Sequence, residues 1–209
     1  MSGGGISAVR LLLLISLSAL LMAQDTAKNL PVATNAPVYT ADGKLVFPAN
    51  YREWIYLTTG IDMDYNPDLN MGDHSMFDNV FVNPEAYKAF LATGTWPDKT
   101  MLVLEGRMAA TKGSINKKGK FQTTELMARS IHIKDESRFS GKWAFFGFGE
   151  DNSAKQIPTT AVCYSCHQEH GAVDTTFVQF YPTLLEIAKK KGTLAPGYMK
   201  EETASEKGN

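Results

Sequence analysis

Thr100-Met-Leu-Val-Leu-Glu-Gly-Arg-Met-Ala-Ala110 and Phe121-Gln-Thr-Thr-Glu-Leu-Met-Ala-Arg-Ser-Ile-His-Ile-Lys134 flank a lysine-rich link, Lys112-Gly-Ser-Ile-Asn-Lys-Lys-Gly-Lys120. Side chains alternate along an extended chain, so Thr100, Leu102, Leu104, Gly106 and Met108 share one face of the first run. Met101, Val103, Glu105 and Arg107 share the other. Two strands joined by so short a link pair antiparallel, with the lysines at a solvated tip.

Working outward, Tyr51–Thr59 is rich in aromatic and β-branched residues and ends at Gly60, which predicts a strand. Met76–Val82 and Trp143–Phe148 read the same way, and residues 61–73 read as a polar loop. Asn83-Pro84-Glu85 supplies an N-cap, a proline at the first helical position and an acid in the first turn, and Gly94 ends that short helix. Residues 159–170 suit a second short helix. Phe177, Phe180, Tyr181, Leu184, Leu185 and Ala188 then follow helical spacing, interrupted or restarted at Pro182 and stopped at Gly192 after Lys189–Lys191. The expected fold is α+β: a five-stranded antiparallel sheet with helices, the one over 159–170 lying near the C-terminus. One domain is expected over 45–192, with an extended leader over 24–44 and a flexible polar tail over 193–209.

The N-terminus reads differently. Arg10 precedes an apolar run, Leu11–Leu21, too short to span a bilayer comfortably, and Met22-Ala23-Gln24-Asp25 follows. Residues 1–23 are therefore expected to be a signal peptide, cut after Ala23. That places the mature chain in the periplasm or otherwise outside, with no stable membrane anchor. Basic and acidic residues nearly balance, 21 against 22, which argues against a nucleic-acid partner. A hydrophobic fraction of 44% excludes a disordered chain.

Only two cysteines are present, so this is no disulfide scaffold. They stand in Cys163-Tyr164-Ser165-Cys166-His167, the spacing of a c-type haem attachment motif. On one helical turn both sulfurs face a porphyrin edge and can add to its vinyl groups, and the next residue offers an imidazole to the iron. A structural disulfide, a thioredoxin-like redox pair and half a zinc site are the competing readings. The zinc reading needs two further ligands from His74, His132, His170 or carboxylates. A thioredoxin-like pair belongs after a strand in a βαβ unit, whereas this pair follows all five strands. Covalent haem c, with His167 on the iron, is the preferred reading.

Taken together, several stretches resemble the cytochrome P-460 family, which includes the beta-type cytochromes c prime. They are Asn50-Tyr-Arg-Glu-Trp-Ile55, Val80-Phe-Val-Asn-Pro-Glu-Ala-Tyr87, Lys134-Asp-Glu-Ser-Arg-Phe139 with Lys142-Trp-Ala-Phe-Phe146, and Cys163–His167 followed by Val178–Leu184. The resemblance implies one covalently bound haem in a homodimer. It also implies a distal face built from the sheet, with Leu102 and Leu104 against the cofactor. The enzymatic branch oxidises hydroxylamine on a haem cross-linked to a strand lysine, and the matching position here is Leu104, which cannot form that bond. Its pocket Arg and Glu match Asp78 and Ser130. These departures lean away from an enzyme and towards the beta-type cytochromes c prime, whose apolar pockets bind nitric oxide or carbon monoxide. A small diatomic gas is the expected ligand, and a redox partner protein the other candidate partner.

An electron-transfer cytochrome would instead need a sixth ligand. His132, two residues after Ser130 on the same strand face, is one candidate, though a half-buried histidine bonded to a neighbour is the plainer reading. Met71, Met76, Met101 and Met108 are thioether candidates, but strand methionines are ordinarily core fillers. Phe145, Phe146 and Phe148 read as core before haem wall.

Overall fold

The computed structural model describes residues 35–63 and 75–208. The expected signal peptide, the leader up to residue 34, Met71 of the polar loop and His74 at its end lie outside them. Five strands form the main sheet: β2 (Ile55–Ile61), β3 (Met76–Val82), β4 (Met101–Ala110), β5 (Phe121–Lys134) and β6 (Trp143–Phe148). They lie in chain order, β2-β3-β4-β5-β6, every pair antiparallel. The fold is thus the α+β arrangement expected, and four strands have the anticipated bounds to within a residue. Two pieces were not anticipated: β1 (Leu45–Val46) and β7 (Ser153–Ala154), which pair as a small second sheet.

Each face of the main sheet is covered, which is why β4 and β6 read as almost continuous apolar runs. On one face Met101, Val103, Ile131, Ile133, Phe146 and Phe148 pack under Leu45, Phe47 and Trp54. On the other, Val82, Leu102 and Trp143 pack against three helices: α1 (Pro84–Thr93), α3 (Pro182–Lys191) and α4 (Pro196–Gly208). The attachment helix α2 (Val162–His170) lies on this side too, with no fully buried residue of its own. Pro182 does restart a helix: a 3-10 turn over Val178–Phe180 precedes it, and α3 begins at the proline. Gly94 and Gly192 end α1 and α3 with φ of 77° and 69°, in the left-handed region.

Four expectations need correction. Tyr51–Glu53 is a 3-10 turn, and the strand starts only at Ile55. The turn lets the Tyr51 hydroxyl and Arg52 (2.6 Å) reach Glu105, which is 1% exposed and also bonded by Arg107 at 3.0 Å. A charge buried that deeply must be paired, and this pairing overrides the strand propensity of Tyr51. Asn83 stands at the N-cap of α1 but does not cap it; its Oδ1 accepts the Met101 amide at 2.8 Å, tying the helix start to β4. The expected flexible tail, 193–209, is ordered over its described residues, 193–208. They hold α4, whose Tyr198 is 7% exposed, and the Ala195 amide before it donates to the Ala172 carbonyl at 2.8 Å. The leader's residues from 35 onward are likewise structured: Asn35 accepts from the Trp54 indole at 2.9 Å, and Tyr39 donates to Asp135 at 3.1 Å.

Candidate haem site

Alternation decides which residues of the sheet meet α2. Three cross-strand rows face that side. Val82, Leu102, His132 and Phe145 are in register, as are Thr58, Val80, Leu104, Ser130 and Gly147, and then Gly60, Asp78 and Gly106. Together with Cys163, Cys166 and His167 of α2 and Phe177 beyond it, members of these rows line one cavity of about 880 Å³. Leu102, Leu104, Cys163, Cys166 and His167, the residues singled out from the sequence, all line it.

His167 is held firmly. Its Nδ1 lies 2.8 Å from the Thr175 carbonyl, which can only accept, so Nδ1 carries the proton and Nε2 keeps its lone pair. The ring packs on Phe177 at 4.1 Å and edge-on to Phe145 at 4.7 Å and His132 at 4.9 Å. Burial lowers its pKa, against a smaller opposing effect of the Thr175 carbonyl, so the imidazole is neutral and able to ligate at neutral pH.

His132 is not across the cavity from His167. It lies beside it, stacked on Phe145 at 3.9 Å, with Nε2 3.3 Å from the Thr175 hydroxyl. Desolvation, and then the neighbouring His167, hold its pKa well below the ordinary value. The packed strand histidine is therefore what the structure contains. His170 points away, its Nδ1 2.8 Å from Glu201 of α4. Met101 is buried on the opposite face of the sheet, and Met76 packs over Gly106. Phe145 lines the cavity, while Phe146 and Phe148, one strand position either way from Gly147, belong to the opposite core.

Four contributors were missed. Tyr164, inside the motif, clamps α2 to β6. Its hydroxyl donates to the Ile157 carbonyl at 3.0 Å and accepts the Phe145 amide at 3.2 Å. Thr175 acts through a backbone carbonyl, which no residue type could signal. Met63 and Thr58 line the cavity from β2 and the segment after it. The cavity is also less apolar than expected. Leu102, Leu104, Val80 and Phe145 make an apolar wall, but Thr58, Asp78 and Ser130 add polar groups. Burial, reinforced by Asp62, pushes the Asp78 carboxyl up to about 6.

These residues fit a haem. The cavity falls within the roughly 300–1,000 Å³ typical of sites that enclose cofactor-sized molecules. Neither cysteine is in a disulfide and both line the cavity, and the one imidazole of α2 that faces it has its outer nitrogen already bonded. A CxxCH helix set over a sheet cavity defines the class: a haem-binding protein of the c type. The model of the Cytochrome P460 family matches residues 48–178, and the chain belongs to that family. Membership implies a cytochrome with haem c. No curated protein matches the chain.

Proposed function

We propose that the protein is an exported mono-haem cytochrome, held through thioethers from Cys163 and Cys166, that binds a small neutral gas such as carbon monoxide or nitric oxide. A haem held by Cys163, Cys166 and His167 would supply an iron able to bind a small ligand. The observation that carries the reading is the His167–Thr175 bond, which presents one neutral imidazole from α2, while His132 lies beside that ring, stacked on Phe145. Leu104, flanked in register by Val80 and Ser130, adds apolar surface and no amine that could cross-link a porphyrin. This speaks against hydroxylamine oxidation through a lysine-linked haem. Export rests on residues 1–23. Among the described residues no helix is long and apolar enough to cross a membrane.

The test is protein made with a haem-attachment machinery. One haem should remain on the denatured chain by mass spectrometry, and the ferrous protein should be high-spin and bind carbon monoxide. Haem lost to acid–acetone extraction would overturn the attachment. A second reading, electron transfer with a sixth ligand, draws on Met63, whose thioether lines the cavity. A sharp low-spin ferrous spectrum that Met63→Ala abolishes would favour it.

A further inference from the structure

Asp78 occupies a niche that the sheet has built around it. Its register partners are Gly60 on β2 and Gly106 on β4, so neither neighbouring strand puts a side chain beside the carboxyl. The space is filled by thioethers instead. A Cβ at Gly60 would lie 2.4 Å from the Met63 sulfur, and one at Gly106 would lie 2.8 Å from the Met76 sulfur. Sulfur and methylene groups solvate a carboxylate poorly. Among the described residues the Asp78 carboxyl has no hydrogen-bond partner, yet it lines the same cavity as Cys163 and His167.

The charged groups around it do not compensate. Just after β2, Asp62 adds a like charge, although it is occupied by Ser75 (2.6 Å) and the Met76 amide (2.8 Å), with Lys120 at 3.7 Å. On β4, Glu105 and Arg107 pair with each other on the sheet's opposite face. On β5, Ala128 and Ser130 carry no charge and burial keeps His132 neutral, and the neutral His167 of α2 and the un-ionised Tyr181 beyond it face the cavity. An acid kept in such surroundings has a reason to be there, because a leucine would pack better.

Building on the haem reading above, we propose that Asp78 selects the cavity's ligands by charge. Neutral ligands and hydrogen-bond donors are admitted, and an anion enters only together with a proton that neutralises the carboxyl. The two events are linked, so anion affinity must rise as the pH falls through the titration of Asp78. For one coupled proton the limiting slope is about tenfold in Kd per pH unit.

The experiment is a fluoride titration of the ferric haem-loaded protein, followed by its absorption spectrum between about pH 5 and 7.5, where fluoride stays an anion. Carbon monoxide binding to the ferrous protein serves as the uncharged control. In the unmodified protein the fluoride Kd should rise about tenfold or more across that range. Asp78→Asn should remove the slope and tighten fluoride about tenfold at pH 7.5, a change larger than any in its carbon monoxide affinity. Asp78→Glu should keep a slope, and Asp62→Asn should move its midpoint to lower pH without abolishing it. Equal slopes in the unmodified protein and Asp78→Asn would overturn the proposal. So would an Asp78→Asn protein that binds carbon monoxide normally but fluoride no better. A chain that carries no haem fails the function proposed above first, a result visible before any fluoride is added.

Discussion

Tyr164→Phe removes one oxygen from the attachment helix and should cost more than its size suggests. The hydroxyl donates to the Ile157 carbonyl at 3.0 Å and accepts the Phe145 amide at 3.2 Å and the Gln156 side chain at 3.2 Å. Losing the donated bond costs about 1 kcal/mol net, and the Phe145 amide, on a buried residue, loses its acceptor at about 1–3 kcal/mol. The exposed Gln156 bond is worth little, because water replaces it. The ring itself stays, edge-on to Phe145 at 4.9 Å, so packing is preserved. The sum is about 2–4 kcal/mol, which for a chain of this size lowers Tm by roughly 4–16 °C. Thermal unfolding of the haem-loaded protein by circular dichroism reads the shift. The haem spectrum at 25 °C should hardly change, since His167 is fixed separately by Thr175. A Tm within about 2 °C of the unmodified protein would refute the assignment of Tyr164 as the clamp between α2 and β6.

Asp135 is 3% exposed and accepts from Lys99, from Ser137 at 2.8 Å and from Tyr39 at 3.1 Å. Burial raises its pKa, but the bonds from Lys99 and Ser137 outweigh this and leave it lowered. A lowered folded pKa gives stability that is present above the unfolded value of about 3.9 and lost as the pH falls through the folded one. Asp135→Asn should therefore cost about 1–3 kcal/mol at neutral pH, with the difference from the unmodified protein shrinking below about pH 4 in urea unfolding. A difference that grows on acidification would contradict this sign. Tyr198→Ala should cost about 3 kcal/mol by the same measurement, because it empties a position in the helix-side core. A neutral result would return α4 to a loose tail.

The strands were legible because each carries its own evidence. Period-two alternation assigned Leu102 and Leu104 to one face and Met101 and Val103 to the other, and the register of β4 between β3 and β5 agrees. The motif made Cys163, Cys166 and His167 legible for the same reason, since its chemistry is local. What stayed hidden depends on contacts remote in sequence. Tyr51 looks like a strand residue until Glu105, on β4, is seen to need its hydroxyl. The α4 segment, Pro196-Gly-Tyr-Met-Lys-Glu-Glu-Thr, has so few apolar residues that its one buried anchor, Tyr198, leaves no periodic trace. The phenylalanines of β6 show the limit from the other side. Composition made Phe145, Phe146 and Phe148 alike, and only the facing of the strand sends Phe145 to the cavity and the other two to the opposite core.

The site has two unlike halves, and the difference bears on what it can bind. Around His167 the packing is dense: Phe177, Phe145 and His132 touch the ring and a backbone carbonyl fixes its tautomer, so the imidazole has little freedom. At the far rows the sheet is thin, with Gly60, Gly106 and Gly147 offering no side chains and two methionines filling the gaps. Side chains of those rows take no part in the His167–Thr175 bond or in the packing on the His167 ring, so this fold can vary its far rows while its α2 half stays the same. In this chain those rows hold Leu104, which contributes neither charge nor donor, and Asp78, which contributes a carboxyl that takes up a proton more readily than an exposed one. An ionised ligand loses its hydration against the first and is repelled by the second unless it brings a proton. A neutral diatomic molecule has little hydration to lose and no charge to be repelled, and that asymmetry favours gas binding over anion chemistry.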